Sequence, residues 1–174
     1  MAAAMGLEKY MHTHSARRRF VKQFVAMLTS AVSTGLGARV MAQETGRVRG
    51  FDHVALPMQN TDAMLAFYRR LGFPMREGTS AVSVYVGDQM INFHRTTLWQ
   101  NAAFTLKAPA ARPPCGDLCF VWDGSPAALK TLLERADATI VEGPVERQGG
   151  RQKSGSSVYT RDPDCNLLEF IIYA

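Results

Sequence analysis

Glu169 stands in the middle of an apolar run, Leu167-Leu168-Glu169-Phe170-Ile171-Ile172. A carboxylate among such neighbours must turn to water from a half-exposed strand or turn inward to a cation, because an unpaired buried charge is strongly destabilising. Far upstream, His53 lies within Phe51-Asp52-His53-Val54-Ala55-Leu56. An imidazole there is either a core histidine bonded to backbone or a lone-pair donor for a metal. A histidine and a carboxylate are the donor types of a divalent-metal site, provided that the fold brings the two ends of the chain to one place.

The elements that must position them read as a repeat. Phe51, His53 and Ala55 alternate with Asp52, Val54 and Leu56, which predicts a short strand. Asn60-Thr61-Asp62 supplies capping chemistry. Met64, Leu65, Phe67, Tyr68 and Leu71 follow at helical spacing, and Gly72 ends the helix. Strands are expected at Phe73–Arg76, Ala81–Val86 and Gln89–His94, with a turn at Gly87-Asp88. A proline-bearing loop, 96–115, joins this half (about 49–95) to a second (about 116–174). The second half has the same order. Asp117–Trp122 reads as a strand, and Ser125-Pro126 opens a helix striped by Leu129, Leu132 and Leu133. Thr139–Pro144 is strand-like, and Gln148–Ser156 reads as a loop. The last pair of strands turns at Asp162-Pro163-Asp164-Cys165-Asn166. Two βαβββ modules make an internal repeat, and the fold class is α+β. Neither half buries a sufficient core alone. Side by side they would form a curved, partly open mixed sheet with helices outside, around a cavity that His53 and Glu169 both reach.

Composition suits an ordinary globular protein, with 47% apolar and 20% charged residues. The net charge of +5 comes wholly from residues up to Ala42, where Lys9, Arg17, Arg18, Arg19, Lys22 and Arg39 face the single acid Glu8. The remainder balances, so no nucleic-acid partner is implied. Residues 1–42 read as a leader. Ala16-Arg17-Arg18-Arg19-Phe20-Val21-Lys22 resembles the twin-arginine export signal, and Val40-Met41-Ala42 resembles a signal-peptidase site. The apolar stretch between them is too short for stable membrane insertion. Periplasmic export is therefore expected, with a mitochondrial presequence or a basic tail in the cytoplasm as competing readings. The cysteines Cys115, Cys119 and Cys165 have no metal-type spacing and are odd in number. Cys119 is expected to pack as a small buried hydrophobe.

Ordered phrases along residues 49–173 resemble the vicinal oxygen chelate superfamily of glyoxalase I, extradiol dioxygenases and the fosfomycin- and bleomycin-resistance proteins. Within it, the likeness is greatest to glyoxalase domain-containing protein 5 and its bacterial relatives. The phrases are Phe51-Asp-His-Val-Ala-Leu56, Phe67-Tyr68 before Leu71-Gly72-Phe73, Gly87-Asp88-Gln89 before Ile91-Asn-Phe-His94, Glu142-Gly-Pro144, and Tyr159-Thr-Arg-Asp-Pro-Asp164 before Asn166-Leu-Leu-Glu169. The resemblance implies a divalent metal held by the first and last strands of each module. Carried over by position, His53 and Glu169 match. Asp117 stands where many members have histidine, and Asn92 where many have glutamate or glutamine. His94 lies two residues on, along the same strand face. The implied metal set is His53, Asp117, Glu169 and His94, with Glu169 also the candidate catalytic residue, and the ion is Fe, Mn, Ni or Zn.

Two functions from different classes follow. The first is a metal-dependent lyase or dioxygenase acting on a small molecule with neighbouring oxygens. The alternative is a metal-free binding protein of the bleomycin-resistance type, to which the departures at Asp117 and Asn92 point. Homodimerisation through exchange of modules is compatible with the resemblance.

Overall fold

Hydrophobic periodicity and chain length together decide the architecture. The computed structural model describes residues 46–174, so the twin-arginine motif and the expected cleavage site lie outside the described residues. Module 1 consists of β1 (His53–Pro57), α1 (Thr61–Arg70), β2 (Met75–Glu77), β3 (Ala81–Val86) and β4 (Gln89–His94). Module 2 consists of β5 (Asp117–Val121), α3 (Pro126–Arg135), β6 (Ile140–Gln148), β7 (Ser154–Arg161) and β8 (Leu167–Tyr173). One helical turn, α2 (Thr96–Trp99), interrupts the loop between them, where no helix was expected. Strand β6 also runs four residues beyond the expected Thr139–Pro144 segment, and β7 starts inside the stretch read as a loop.

Each module forms a four-stranded mixed sheet, in the order β1-β4-β3-β2 and β5-β8-β7-β6. The first strand lies parallel to the last and the other neighbours are antiparallel. The α+β class and the paired βαβββ pattern are those that the sequence predicts. The sheets stay separate hydrogen-bonded units, and β1 and β5 are left as edge strands.

Strand alternation sorts the side chains. Val82, Val84, Ile91 and Phe93 turn to one side and pack with Met64, Leu65, Phe67 and Tyr68 of α1. Phe120, Leu168 and Phe170 do the same against Leu129 and Leu133 of α3. Each such side chain contributes about 1.5–3 kcal/mol on burial. Phe73 and Phe120 meet at 5.2 Å between ring centroids, which joins the two modules in one core. The remaining face of each sheet, the inner face, carries the polar residues.

Local chemistry starts and stops the helices. Ser125 caps α3 by accepting the Ala128 N–H at 3.2 Å, and Pro126 opens that helix as predicted. Gly72, at φ +84°, follows the end of α1 in a conformation that suits glycine. Asn60 occupies the cap position of α1 but makes no side-chain cap bond. Asp164, from the β7–β8 turn of the other module, accepts the backbone N–H groups of Gln59 and of Asn60 itself.

Candidate functional site

On β4, Ile91 and Phe93 face the core, so Met90, Asn92 and His94 face the other way. On β8, Leu168 and Phe170 face the core and Glu169 projects from the inner face. The same alternation puts His53 on the inner face of β1, and Asp117 and Cys119 on that of β5.

His53 Nδ1 donates to Asp52 Oδ1 at 2.6 Å, which leaves Nε2 as the lone-pair atom. The pair is exposed and contributes little to stability. Asn92 Nδ2 donates to His94 Nε2 at 3.4 Å, and the His94 ring stands edge-on to Phe104 at 5.5 Å. Partial burial, then the neighbouring His53, lowers the His94 pKa.

A cavity of about 360 Å³ opens where β1 and β4 approach β5. Phe51, His53 and Met90 line one side, with Asp117, Cys119 and Phe120 on the other. The fold therefore brings His53 and Asp117 to a common space, as the repeat requires. Glu169 does not line this cavity. It sits one strand further in, paired across β5–β8 with Cys119 and across β7–β8 with Tyr159. His94 is likewise set back from the cavity on β4. Among the described residues, no three His, Cys, Asp or Glu side chains lie close enough together to hold an ion.

The donor chemistry of His53, Asp117, Glu169 and His94 fits a divalent metal, with nitrogen and oxygen ligands in the mixture that Fe, Mn, Ni and Zn accept. What one chain does not do is gather them. It presents them as two half-sets, His53 and His94 on one sheet, Asp117 and Glu169 on the other.

Two features escape sequence reasoning. Cys119 is solvent-exposed rather than packed in the core, because the alternation of β5 puts Leu118 and Phe120 on the core side. The carboxylate of Glu169 and the partial burial of the thiol push its pKa up to about 12, burial being the larger cause. Ser157, wholly buried, donates to Glu169 Oε1 at 2.5 Å. The signal for it was a hydroxyl at an interior position of β7, two residues before Tyr159. Arg161 donates to the Cys165 carbonyl at 2.9 Å and braces the turn.

Comparison with known proteins places this geometry in context. Residues 50–170 match the family model described as the Glyoxalase/Bleomycin resistance protein/Dioxygenase superfamily. The glyoxalase domain-containing protein RDO1 of Mycosarcoma maydis is 35% identical over 127 residues, which is 72% of this chain and 69% of that protein. The virulence protein STM3117 of Salmonella typhimurium is 34% identical over 124 residues, covering 70% of this chain and 83% of its own. The crystal structure of the latter superposes with a TM-score of 0.65, covering 74% of this chain and 100% of that one at 31% identity. An integron cassette protein from the Vibrio cholerae mobile metagenome superposes equally well, with a TM-score of 0.65 at 31% identity over 75% of this chain and 99% of the other. A lactoylglutathione lyase from Agrobacterium tumefaciens, 23% identical, shares the fold with a TM-score of 0.56 over 72% of this chain and 95% of that one.

Proposed function

The chain belongs to the glyoxalase/bleomycin resistance protein/dioxygenase superfamily, and from that premise we propose that it is a metal-dependent enzyme acting on a small molecule with neighbouring oxygens. The observation that carries the reading is the convergence of His53 and Asp117 on one cavity, with Glu169 held by a buried hydroxyl beside it. A buried group that orients a half-exposed carboxylate suits a site rather than a solvated strand face. Among the superfamily's branches, the motif phrases favour the glyoxalase domain-containing proteins.

Two copies complete the ligand set in this reading. The inner faces stay open, with His53 side chain at 48% exposure and Val121 at 47%. Phe51 and Val54 add exposed apolar surface, and β1 and β5, beside the cavity, each pair on one side only. A second chain laid against these edges would cover the apolar surface and add its own donors to the cavity that His53 and Asp117 share.

When bound, the metal supplies Lewis-acid polarisation of the substrate oxygens. The chain's own residues do the rest. His53 Nε2 and the Asp117 and Glu169 carboxylates would hold the ion, with His94 as a neighbour. Glu169, with Oε1 fixed by Ser157, is placed to take a proton from substrate and return it. Phe51 and Met90 give the cavity an apolar wall. The twin-arginine-like leader supports export to the periplasm after folding and metal loading.

Metal content by mass spectrometry tests the function. Protein purified without chelator or nickel affinity should carry near-stoichiometric metal, which His53→Ala and Glu169→Gln should each lose. Well-folded protein without metal in all three would replace this reading with the metal-free binding protein.

A further inference from the structure

Ser157 lies on β7 with its side chain shut away from solvent. Its hydroxyl donates to Glu169 Oε1 at 2.5 Å, and Glu169 is the acceptor found for it among the described residues. The bond runs diagonally across the β7–β8 pair, because Ser157 is in register with Ile171, two residues past Glu169 on the same face. Ile171 is itself fully buried, and it lies where a Cβ on Gly155 would come within 2.7 Å of its Cγ1. The absent side chain of Gly155 thus lets Ile171 settle over this part of the sheet, with Ser157 sealed next to it.

A glutamate's last torsion is broad and weakly restrained by its own rotamer preferences. A hydrogen bond from a buried donor fixes that torsion, because the donor cannot turn to water instead. Cys119 and Tyr159, the direct cross-strand neighbours of Glu169 on either side, narrow the remaining freedom. The carboxylate is then held with Oε1 engaged by Ser157 and flanked by the Cys119 thiol and the Tyr159 hydroxyl. The ordering cost is met when the chain folds, before any ion arrives.

We propose that Ser157 is a positioning residue for Glu169, presetting the carboxylate for capture of a divalent cation. This rests on the metal-dependent reading above. A serine that merely fills space would leave ion affinity untouched when shortened to alanine.

The test compares wild type, Ser157→Ala, Ser157→Thr and Glu169→Gln. Mn²⁺ binding is followed by electron paramagnetic resonance of the free ion, and Zn²⁺ binding by competition with a chromogenic chelator. The thermal midpoint of each metal-free protein is measured alongside. Ser157→Ala should weaken ion binding roughly 10- to 100-fold, with the metal-free midpoint close to wild type and affinity restored by Ser157→Thr. Should the alanine variant fail to fold, Ser157→Cys, with a similar volume and a weaker donor, should show the same loss. Wild-type affinity in Ser157→Ala, or in Ser157→Cys where the alanine variant fails to fold, would overturn the positioning role alone. A wild-type protein that takes up neither ion would overturn the metal reading, and the positioning role with it.

Discussion

The carboxylate of Asp164 accepts the backbone N–H of Asn60 at 2.8 Å, across 104 positions of the chain. Its other oxygen accepts the N–H of Gln59 at 2.7 Å. In a capping box, a side chain one turn into the helix satisfies the cap residue's N–H. Here the second module does so for the first module's helix, and also puts a negative charge at that helix's N-terminus. Asp162 supports the same turn, accepting from the N–H groups of Asp164 and Asn166 and from the Tyr68 hydroxyl. Asp164→Ala should therefore lower stability by about 2 kcal/mol, read from urea unfolding, with Asp164→Asn losing less. Unchanged unfolding would mean that water replaces the carboxylate without loss.

Cys119 combines exposure with a pKa pushed up to about 12, by burial first and by the charge of Glu169 second. The thiolate is the reactive form, so each pH unit below the pKa cuts its population about tenfold. Alkylation by iodoacetamide should be slow at pH 7.5, quicken throughout the range to pH 10, and be faster in Glu169→Gln at every pH. Peptide mass spectrometry after timed quenching resolves this site from Cys115 and Cys165. The sign for stability follows from the same shift. The folded pKa is raised, so the contribution of this thiol is present below about pH 9 and is lost as pH rises towards 12.

Gly143 adopts φ +119°, within the irregularity that breaks the β6–β7 register between Glu142 and Val145. A Cβ there would stand 2.6 Å from the Ser157 carbonyl oxygen and 2.8 Å from Val158 Cα. Gly143→Ala should cost roughly 1–3 kcal/mol in backbone strain alone, plus displacement of the strand that carries Ser157. A lowered thermal midpoint together with weaker Mn²⁺ binding is the expected pair of results. Loss of stability with wild-type ion affinity would separate the bulge from the site.

Val54 is 39% exposed on the edge strand β1, next to the cavity. If two chains meet along this edge, wild type should sediment as a dimer, and Val54→Lys should be monomeric and bind metal more weakly. A charged side chain inside an apolar edge contact is strongly disfavoured. A monomeric wild type that still holds stoichiometric metal would show instead that one chain gathers its own ligands.

Alternating and helical apolar spacing determined much of this protein by itself. The strand of His53, the strand of Glu169, both long helices and the module order are all local patterns, because burial of one face leaves a period of 2 or 3.6 in the residues. The same alternation puts His53 and Glu169 on inner faces. It would also have exposed Cys119, had Leu118 and Phe120 been weighed as the core side of β5. Tertiary structure decided what no local pattern encodes. Asp164 holds the N–H groups of Gln59 and Asn60 at the start of α1, because the β7–β8 turn is folded against it. Ser157 reaches Glu169 only through the register of β7 on β8, which a one-residue slip would undo. The division of His53, His94, Asp117 and Glu169 into two half-sets follows from the two sheets remaining separate, with β1 and β5 as edge strands. Spacing along the chain sets which face a side chain takes; only packing between modules sets which side chains meet.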